Sequence, residues 1–321
     1  MVESIGTPTA WTGFFVAVGV VLILDLAVFN RATRAFSTRA SALWTLVCVS
    51  LAGLFAGWLF WGHGAETGFE FVAGYVIEYA LSVDNLFVFL VIFNFFAVPA
   101  AFQRRALFWG ILGAVVLRGA FILAGTALVA RFHWTLYLFG AFLVWTGIQL
   151  FFGGDEKIEI EANPAVKLVR RFVPVTSGYH GERFFVRLDG KRFATPLFLV
   201  LVVIDVVDVI FAVDSIPAVF GVTHDPYLVF TSNMFAILGL RALYFLLADF
   251  MDRFHHLKYG LGLVLSFVGA KMLAARWYEV PITVALGVIV LLLGGAVLSS
   301  FLFPPQHHPE AGAERDQSTE K

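Results

Sequence analysis

The sequence is poor in charged residues, in cysteine and in recognisable nucleotide-binding motifs. Only 14% of its 321 residues are Asp, Glu, Lys or Arg, whereas a soluble domain carries about 25%. This deficit disfavours a water-soluble enzyme, a nucleic-acid-binding protein and a disordered scaffold. Cys48 is the only cysteine, which excludes an intramolecular disulfide and a cysteine-cluster metal site. No G-x-x-x-x-G-K-[ST] segment occurs, so we expect that an ion gradient rather than a nucleotide drives any transport.

The sequence is instead rich in long apolar runs. Hydrophobic residues make up 60% of the chain, and a membrane-spanning helix needs about 20 mainly apolar residues in a row. Nine such runs lie at about residues 11–30, 43–61, 71–96, 105–130, 134–152, 195–220, 227–248, 258–274 and 280–300. We therefore predict an all-α, polytopic membrane helix bundle with nine transmembrane helices over residues 1–303, followed by a disordered cytoplasmic tail at 304–321.

The basic residues between the runs predict the orientation of the chain. With nine spans, nearly all Lys and Arg residues of the loops fall on one side of the membrane, and only Arg131 and Arg276 fall on the other. Basic loops stay in the cytoplasm. We therefore expect the N-terminus outside, the C-terminus in the cytoplasm and the lipid bilayer as a constant partner.

One long polar segment, residues 153–194, connects spans 5 and 6. Residues 164–173 interleave basic and apolar side chains, which favours a short helix lying on the inner leaflet. Residues 184–188 and 191–194 flank Asp189-Gly190, a pair typical of the type I′ turn of a β-hairpin. A role as a simple connection between spans 5 and 6 stays open for both elements.

Acidic and basic residues inside the predicted spans are the strongest functional signal. Each acid costs about 2.5–3.5 kcal/mol at a helix centre unless it faces a cavity and has a partner. The acids are Asp25, Glu78, Asp84, Asp205, Asp208 and Asp214, and the bases are Arg118, Arg241 and Lys271. Asp25 lies near the cytoplasmic end of span 1, where Arg31 or Arg34 would suffice as its partner.

The intramembrane charges follow an internal repeat. Each copy has two acids six residues apart, a small polar residue after the second acid, an arginine in the next span and a glycine in the span after that. In residues 71–152 these are Glu78, Asp84, Asn85, Arg118 and Gly147. In residues 195–274 they are Asp208, Asp214, Ser215, Arg241 and Gly269. Three helices per copy force the copies into opposite orientations, and such inverted repeats place the substrate site at mid-membrane on their interface.

The two acids of one helix do not converge if that helix is straight. At about 100° per residue Asp84 points about 120° away from Glu78, so we expect a break or an unwound turn. Pro217 cannot donate to the carbonyl of Val213, which would leave that oxygen free for a cation beside Asp214.

Charge and ligand chemistry then indicate the ion. The two acid pairs carry four negative charges, and Arg118 and Arg241 would offset two of them if they lie nearby. The two remaining negative charges match one divalent cation or two protons. All histidines fall outside the span interiors, and an oxygen-only site favours Mg²⁺, Ca²⁺ or Mn²⁺ over Zn²⁺ or Cu²⁺.

Three segments carry a resemblance to a known family. They are EYALSVDN at 78–85, DVVDVIFAVDSIPA at 205–218 and TSNMFAILGLRA at 231–242. With them the sequence resembles the TerC family of integral membrane proteins, and its Alx-like members in particular, over about residues 7–300. The resemblance implies a bacterial inner-membrane protein linked to manganese export and to tellurite resistance. Alx-like proteins carry a glutamate where this chain has Asp205, so Asp205 is a weaker candidate ligand.

The favoured function is a secondary transporter that exports a divalent cation, above all Mn²⁺, by alternating access with proton exchange as a candidate coupling. The predicted metal ligands are Glu78, Asp84, Asn85, Asp208, Asp214 and Ser215. The predicted supporting residues are Asp205, Arg118, Arg241, Asn233 and Pro217. We expect no permanently bound cofactor, no catalytic residues and no nucleic-acid partner. Whether the protein forms a homo-oligomer is left open by the sequence. Two alternatives remain: a membrane helper or scaffold protein in metal or tellurite stress, and a membrane enzyme such as an aspartyl protease, which also needs two acids.

Overall fold

The computed structural model describes residues 4–30, 38–152, 173–188, 190–247 and 256–303. Most of the predicted surface helix at 164–173 and the whole predicted tail at 304–321 lie outside the described residues.

Ten α-helices and one β-hairpin make up the described part of the chain. The helices are α1 Pro8–Asn30, α2 Thr38–His63, α3 Ala65–Phe95, α4 Ala100–Arg131, α5 Thr135–Phe152, α6 Pro196–Phe220, α7 Pro226–Leu238, α8 Leu240–Leu247, α9 Leu257–Ala274 and α10 Ile282–Leu302. Eight of them are long and apolar enough to cross a membrane, and α7 with α8, bent by 41° at Gly239, is either a broken ninth span or a re-entrant loop. The prediction of an all-α, multi-pass membrane protein is confirmed.

The core of the bundle lies where α3, α4, α6 and α7 meet. The largest cluster of buried apolar side chains draws on all four helices, and nearly every residue of α7 is buried. The outer helices instead expose large apolar side chains, such as Leu54 of α2 and Leu291 of α10. Lipid tails solvate such a surface, so the bundle has an apolar outside and places its polar groups within.

Contacts between the two repeats are reciprocal. A Cβ built on Gly74 of α3 would lie 3.0 Å from Ser232 Oγ of α7. The matching contact joins α6 to α4, since a Cβ built on Gly110 would lie 2.8 Å from Ile204 Cγ2. Gly74 and Ile204 each precede the first acid of their repeat by four residues. The packing of α3 on α7 is therefore the counterpart of the packing of α6 on α4, as an inverted repeat requires.

Helices α5 and α9 cross at two glycine pairs. Gly140 packs on Gly269, and Gly147 packs on Gly262, with Cβ atoms built on these glycines 2.5–3.0 Å from the facing carbonyl oxygens. Because the residue numbers rise along α5 as they fall along α9, the two helices are antiparallel. The pairing is again symmetric, since both helices carry glycines seven residues apart.

Helices α3 and α6 run in opposite directions. Along α4, Gly110 contacts Ile204 and Gly125 contacts Phe220, so α4 is parallel to α6. A short turn joins α3 to α4, which makes those two antiparallel. Both α3 and α6 are continuous, and α6 passes through Pro217 without unwinding. The expected break in these spans is therefore wrong, because one acid from each helix, rather than two from the same helix, reaches the centre.

The predicted hairpin is present beside the ends of α3 and α4. Its strands, β1 Phe185–Leu188 and β2 Lys191–Ala194, pair antiparallel with Phe185 opposite Ala194. Gly190 has φ +78°, which suits its place in the turn. Just before the hairpin, the Tyr179 hydroxyl donates to the carbonyl of Phe96 at 2.8 Å and so fixes this segment to the end of α3.

Candidate cation site between the two repeats

The guanidinium of Arg118 forms the centre of the site. Arg118 lies on α4 and is fully buried. Its Nε donates to Asp208 Oδ2 at 3.0 Å and its Nη2 donates to Asp208 Oδ1 at 2.8 Å. Its Nη1 donates to Glu78 Oε1. The first acids of the two repeats, Glu78 of α3 and Asp208 of α6, therefore share one arginine.

Two neutral ligand candidates join the same guanidinium. Arg118 Nη1 donates to Ser215 Oγ at 3.3 Å. With its amide oriented to satisfy both ends, Asn85 accepts from Arg118 Nη2 at 3.2 Å and donates to the carbonyl of Leu81 at 2.9 Å. Asn85 and Ser215 follow the second acids of the two repeats, so the cluster contains two pairs of counterpart residues. The structure thus brings four of the six predicted ligands together.

Several buried polar atoms near this cluster have no hydrogen-bond partner in the described part of the chain. They include Glu78 Oε2, Ser82 Oγ and both amide atoms of Asn233. Asn233 is fully buried on α7, and its neighbour Ser232 contacts α3 at Gly74. Leaving a buried polar atom unsatisfied costs about 1–3 kcal/mol, so these oxygen-rich groups suit an additional polar occupant beside Glu78.

The cluster has one net negative charge when all of its groups are ionised, because Glu78 and Asp208 contribute two negative charges and Arg118 contributes one positive charge. Removing one partner from a buried ion pair costs about 3–5 kcal/mol. A cation therefore replaces Arg118 at low cost only if it arrives as the arginine leaves.

Asp84 and Asp214 lie apart from the arginine. Asp214 is half-buried and accepts from Thr146 Oγ1 of α5 at 3.3 Å. Asp84 is half-buried too, and Lys258 of α9 is the charged group that acts on it. Each is six residues, or about 9 Å, beyond the first acid of its helix. Each directly precedes a residue that contacts Arg118, Asn85 on α3 and Ser215 on α6, so both acids lie beside the centre.

The six predicted ligands therefore do not share one coordination sphere in this conformation. Across the described ranges, no three Asp, Glu, His or Cys side chains converge in a geometry that holds a metal ion. The ligand role of Asp84 and Asp214 stays a prediction.

Arg241 does not hold the central acids, and this corrects the sequence prediction. Its Nη2 lies 2.6 Å from Asp25 Oδ2 and donates to the carbonyl of Asp25 at 2.7 Å. Its guanidinium lies 5.7 Å from the ring centre of Phe108. Arg241 follows the bend at Gly239 by two residues, and its partner Asp25 lies on α1, outside the repeats. Asp25 thus has Arg241 as a partner; Arg31 and Arg34, the partners that the sequence suggested, lie outside the described residues.

Asp205 fills a tight niche on α4. A Cβ built on Gly113 would lie 2.6 Å from Asp205 Oδ1, so only glycine leaves room for this carboxylate. That oxygen is buried and has no hydrogen-bond partner among the described residues. Asp205 lies one turn before Asp208 on α6.

Sequence reasoning missed the polar contacts at the start of α7. Asp225 caps this helix and accepts from Tyr227 N at 2.7 Å, from Ser4 Oγ at 2.8 Å and from Ile5 N at 2.8 Å. Asp followed by Pro226 at the first helical position was the signal that could have found it. Nearby, Lys271 donates to the carbonyl of Gly221 at 3.0 Å. These contacts fix the end of the bundle where α7 begins.

Comparisons with known proteins agree with this architecture. Residues 63–307 match the family model described as "Integral membrane protein TerC family". The chain is 45% identical over 311 residues to "Uncharacterized membrane protein STKORF319" of Myxococcus xanthus, with 97% of each chain covered. It is 46% identical over 301 residues to "Putative membrane-bound redox modulator Alx" of Escherichia coli (strain K12), covering 91% of this chain and 94% of that protein.

A third relative is the "Uncharacterized membrane protein" of Rickettsia felis, which is 38% identical over 293 residues, with 91% of this chain and 97% of that protein covered. No solved structure matches the chain. The matched family residues contain both repeats, and the curated relatives extend along nearly the whole chain. This protein belongs to the TerC family of integral membrane proteins.

Proposed function

We propose that this protein is a secondary transporter that exports a divalent cation, with Mn²⁺ the favoured ion, through the site at Glu78 and Asp208. One observation carries the proposal: the first acids of two inverted repeats meet at one fully buried arginine. An ion pair that only held the helices together would need one carboxylate for one guanidinium. A second carboxylate at the same point adds a charge that a divalent cation neutralises.

The charges give Arg118 a specific role. Glu78 and Asp208 together match the charge of one divalent cation. If Arg118 stayed in place beside the ion, the buried cluster would carry an excess positive charge. Arg118 therefore acts as a substitute cation that occupies the carboxylates while the transporter is empty, and it moves aside when the ion binds.

The ligand atoms favour hard cations. Carboxylate oxygens of Glu78 and Asp208, the amide oxygen of Asn85 and the hydroxyl of Ser215 form an oxygen-only set, which suits Mn²⁺, Mg²⁺ or Ca²⁺. Asn233 adds a fully buried amide that has no partner among the described residues.

Asp84 and Asp214 serve as flanking steps of the pathway. Each is half-buried and directly precedes a residue, Asn85 or Ser215, that contacts Arg118. In inverted-repeat transporters the halves rock around a fixed central site, so a cation passes one flanking acid on entry and the other on release. This role needs no catalytic residue and no resident cofactor. The cytoplasmic side is the entry side, given the basic loops there.

The name of the Alx relatives raises a redox role as an alternative. A dithiol couple within this chain is excluded because Cys48 is its only cysteine. A helper protein that organises other components of a stress response stays the main competing function. It predicts that the purified protein alone moves no ion.

Transport by purified protein in liposomes separates these functions. We expect wild-type protein to carry Mn²⁺ to an entrapped Mn²⁺-sensitive dye, and Glu78→Gln or Asp208→Asn to reduce the rate at least about tenfold, since each variant removes half of the ligand charge. Glu66→Gln is the matched control, because Glu66 is an exposed acid on the same helix as Glu78. A wild-type rate equal to that of empty liposomes would reject transport and favour the helper function.

A further inference from the structure

Two ionisable side chains hold the turn between α6 and α7. The Thr223 hydroxyl donates to Glu70 Oε2 of α3 at 2.7 Å. Lys271 Nζ of α9 donates to the carbonyl of Gly221 at 3.0 Å. We call these two contacts the latch. They lie away from the candidate cation site, because Glu70 is eight residues, or about 12 Å, along α3 from Glu78.

The turn that the latch holds is buried. Thr223 is 2% exposed. Gly221 packs so closely on α9 that an added Cβ would collide with Val268 Cγ1 and would lie 3.0 Å from Met272 Sδ. Helix α9 therefore covers this turn at a distance that only glycine allows.

The turn between α3 and α4 is the counterpart of this turn in the first repeat, and its environment differs. It leaves Ala97 and Pro99 exposed. One contact that holds it, from the Tyr179 hydroxyl to the carbonyl of Phe96, comes from a segment outside both repeats. Inverted repeats that differ in conformation generate the second access state when they exchange their conformations. In that state the α6–α7 turn would become exposed, and the latch would be broken.

The residues of the latch occur in only one half of the repeat. Val200 occupies the position of Glu70, eight residues before the first acid of its own repeat, and its side chain accepts no hydrogen bond. Gln149 occupies the position of Lys271, two residues after the glycine of its own repeat, and it is exposed and uncharged. The exchanged state would therefore gain no equivalent latch, so the latch favours the state in which the α6–α7 turn is buried.

We infer that Glu70 and Lys271 hold the α6–α7 end of the cation pathway closed in the resting protein, and that they release the turn before an ion leaves at that end. The inference rests on the proposed function and names two residues that regulate its pathway. With the orientation that the basic loops predict, this end faces the outside. A resting state that is closed there keeps the empty site from loading external cations.

Solvent access to the turn tests the latch without any transported ion. In a Cys48→Ala background, Val222→Cys places a thiol in the turn, where the native Val222 is 6% exposed. A charged, water-soluble maleimide labels this thiol in purified protein in lipid nanodiscs, and it reacts when the turn is open. Thr223→Val with Lys271→Met removes both donors of the latch. We expect this double variant to raise the labelling rate at least about tenfold, because the loss of two buried hydrogen bonds increases the open population.

Matched variants connect the effect to the latch. Gln149→Met makes a similar change at the counterpart of Lys271 and should leave the labelling rate unchanged. Glu70→Leu should raise the rate, whereas Glu70→Gln keeps an acceptor oxygen for Thr223 and should raise it less. Unchanged labelling in the folded double variant overturns the inference. If size-exclusion chromatography and a melting curve show that the double variant is not folded, the single variants decide, each with an expected rise of at least about threefold.

A second thiol distinguishes an exchange of conformations from local loosening of the turn. Ala97→Cys lies in the exposed α3–α4 turn, which would become buried in the exchanged state. Gly221→Ala prevents the close contact with α9, so it should raise labelling at Val222→Cys and lower labelling at Ala97→Cys at least about twofold. A rise at Val222→Cys with no fall at Ala97→Cys would indicate local loosening and would overturn the inference. Failure of wild type to carry Mn²⁺ would reject the proposed function and leave both labelling results unaffected.

Discussion

Gly147 of α5 and Gly262 of α9 lie so close that a Cβ on either would meet the carbonyl oxygen of the other, at 2.5 and 2.8 Å. The same geometry recurs at Gly140 and Gly269. These contacts leave no room for a methyl group and join the third helices of the two repeats along their length. The two halves are joined here by close contact between the backbones of α5 and α9 rather than by interdigitating side chains.

Substitution of Gly147 therefore tests this crossing. We expect Gly147→Ala to lower the free energy of unfolding by about 1–3 kcal/mol, because the new methyl group must displace Ser266 and the backbone of α9. Gly294→Ala on α10 is the control, since nothing lies within 4 Å of its added Cβ. Thermal or denaturant unfolding in detergent measures both. Equal effects of the two substitutions would contradict the close crossing.

Arg118→Leu tests whether a cation binds to Glu78 and Asp208 when the arginine is absent. Without Mn²⁺ we expect this variant to lose about 3–5 kcal/mol of stability, because Glu78 and Asp208 lose their shared partner. Mn²⁺ should then stabilise it more than wild type, by about 2.7 kcal/mol at a concentration 100 times the Kd, since no arginine competes. The melting temperature with and without Mn²⁺ gives the difference. Arg131→Leu, at the exposed end of the same helix, should show no such gain.

Asp208→Asn and Asp214→Asn should differ sharply, although the two acids look equivalent in sequence. Asp208 accepts two strong hydrogen bonds from Arg118, so its amide variant should lose about 3–5 kcal/mol of stability and its Mn²⁺ binding. Asp214 accepts a single bond from Thr146, which an asparagine oxygen also accepts, so the cost should stay within about 0.5–1.5 kcal/mol.

Mn²⁺ binding by isothermal titration decides between one central pair and four convergent acids. We expect Asp214→Asn to bind with little change in affinity and to transport more slowly, as a flanking step should. Loss of binding equal to that in Asp208→Asn would place Asp214 in the central site.

Asp225→Ala should free the N-terminal segment from the start of α7. The carboxylate caps α7 and also holds Ser4 and Ile5, so we expect a loss of about 1–2 kcal/mol in stability. Limited proteolysis should then cut near Ser4 faster than in wild type. Glu279→Ala, an exposed acid, is the control and should change stability by less than about 0.5 kcal/mol.

The sequence by itself determined the spans, the repeat and the unusual residues. Apolar runs need about 20 residues to cross a bilayer, which makes the approximate positions of the long spanning helices readable from the sequence alone. Charges such as Glu78 and Asp208 stand out because a membrane interior tolerates them only with partners. Even the hairpin followed from local turn chemistry at Gly190. These features depend on residues close together in the chain.

Tertiary structure alone decided which charges meet. Glu78, Arg118 and Asp208 lie on three helices, and their convergence depends on how those helices pack. The sequence gives Asp84 and Asp214 the same weight as the first acids, but helix rotation directs them to other neighbours. Similarly, Arg241 matches Arg118 in sequence, but the packing of the helices pairs it with Asp25. Partner choice between distant buried charges depends on three-dimensional distance and orientation, which periodicity along a single helix does not contain.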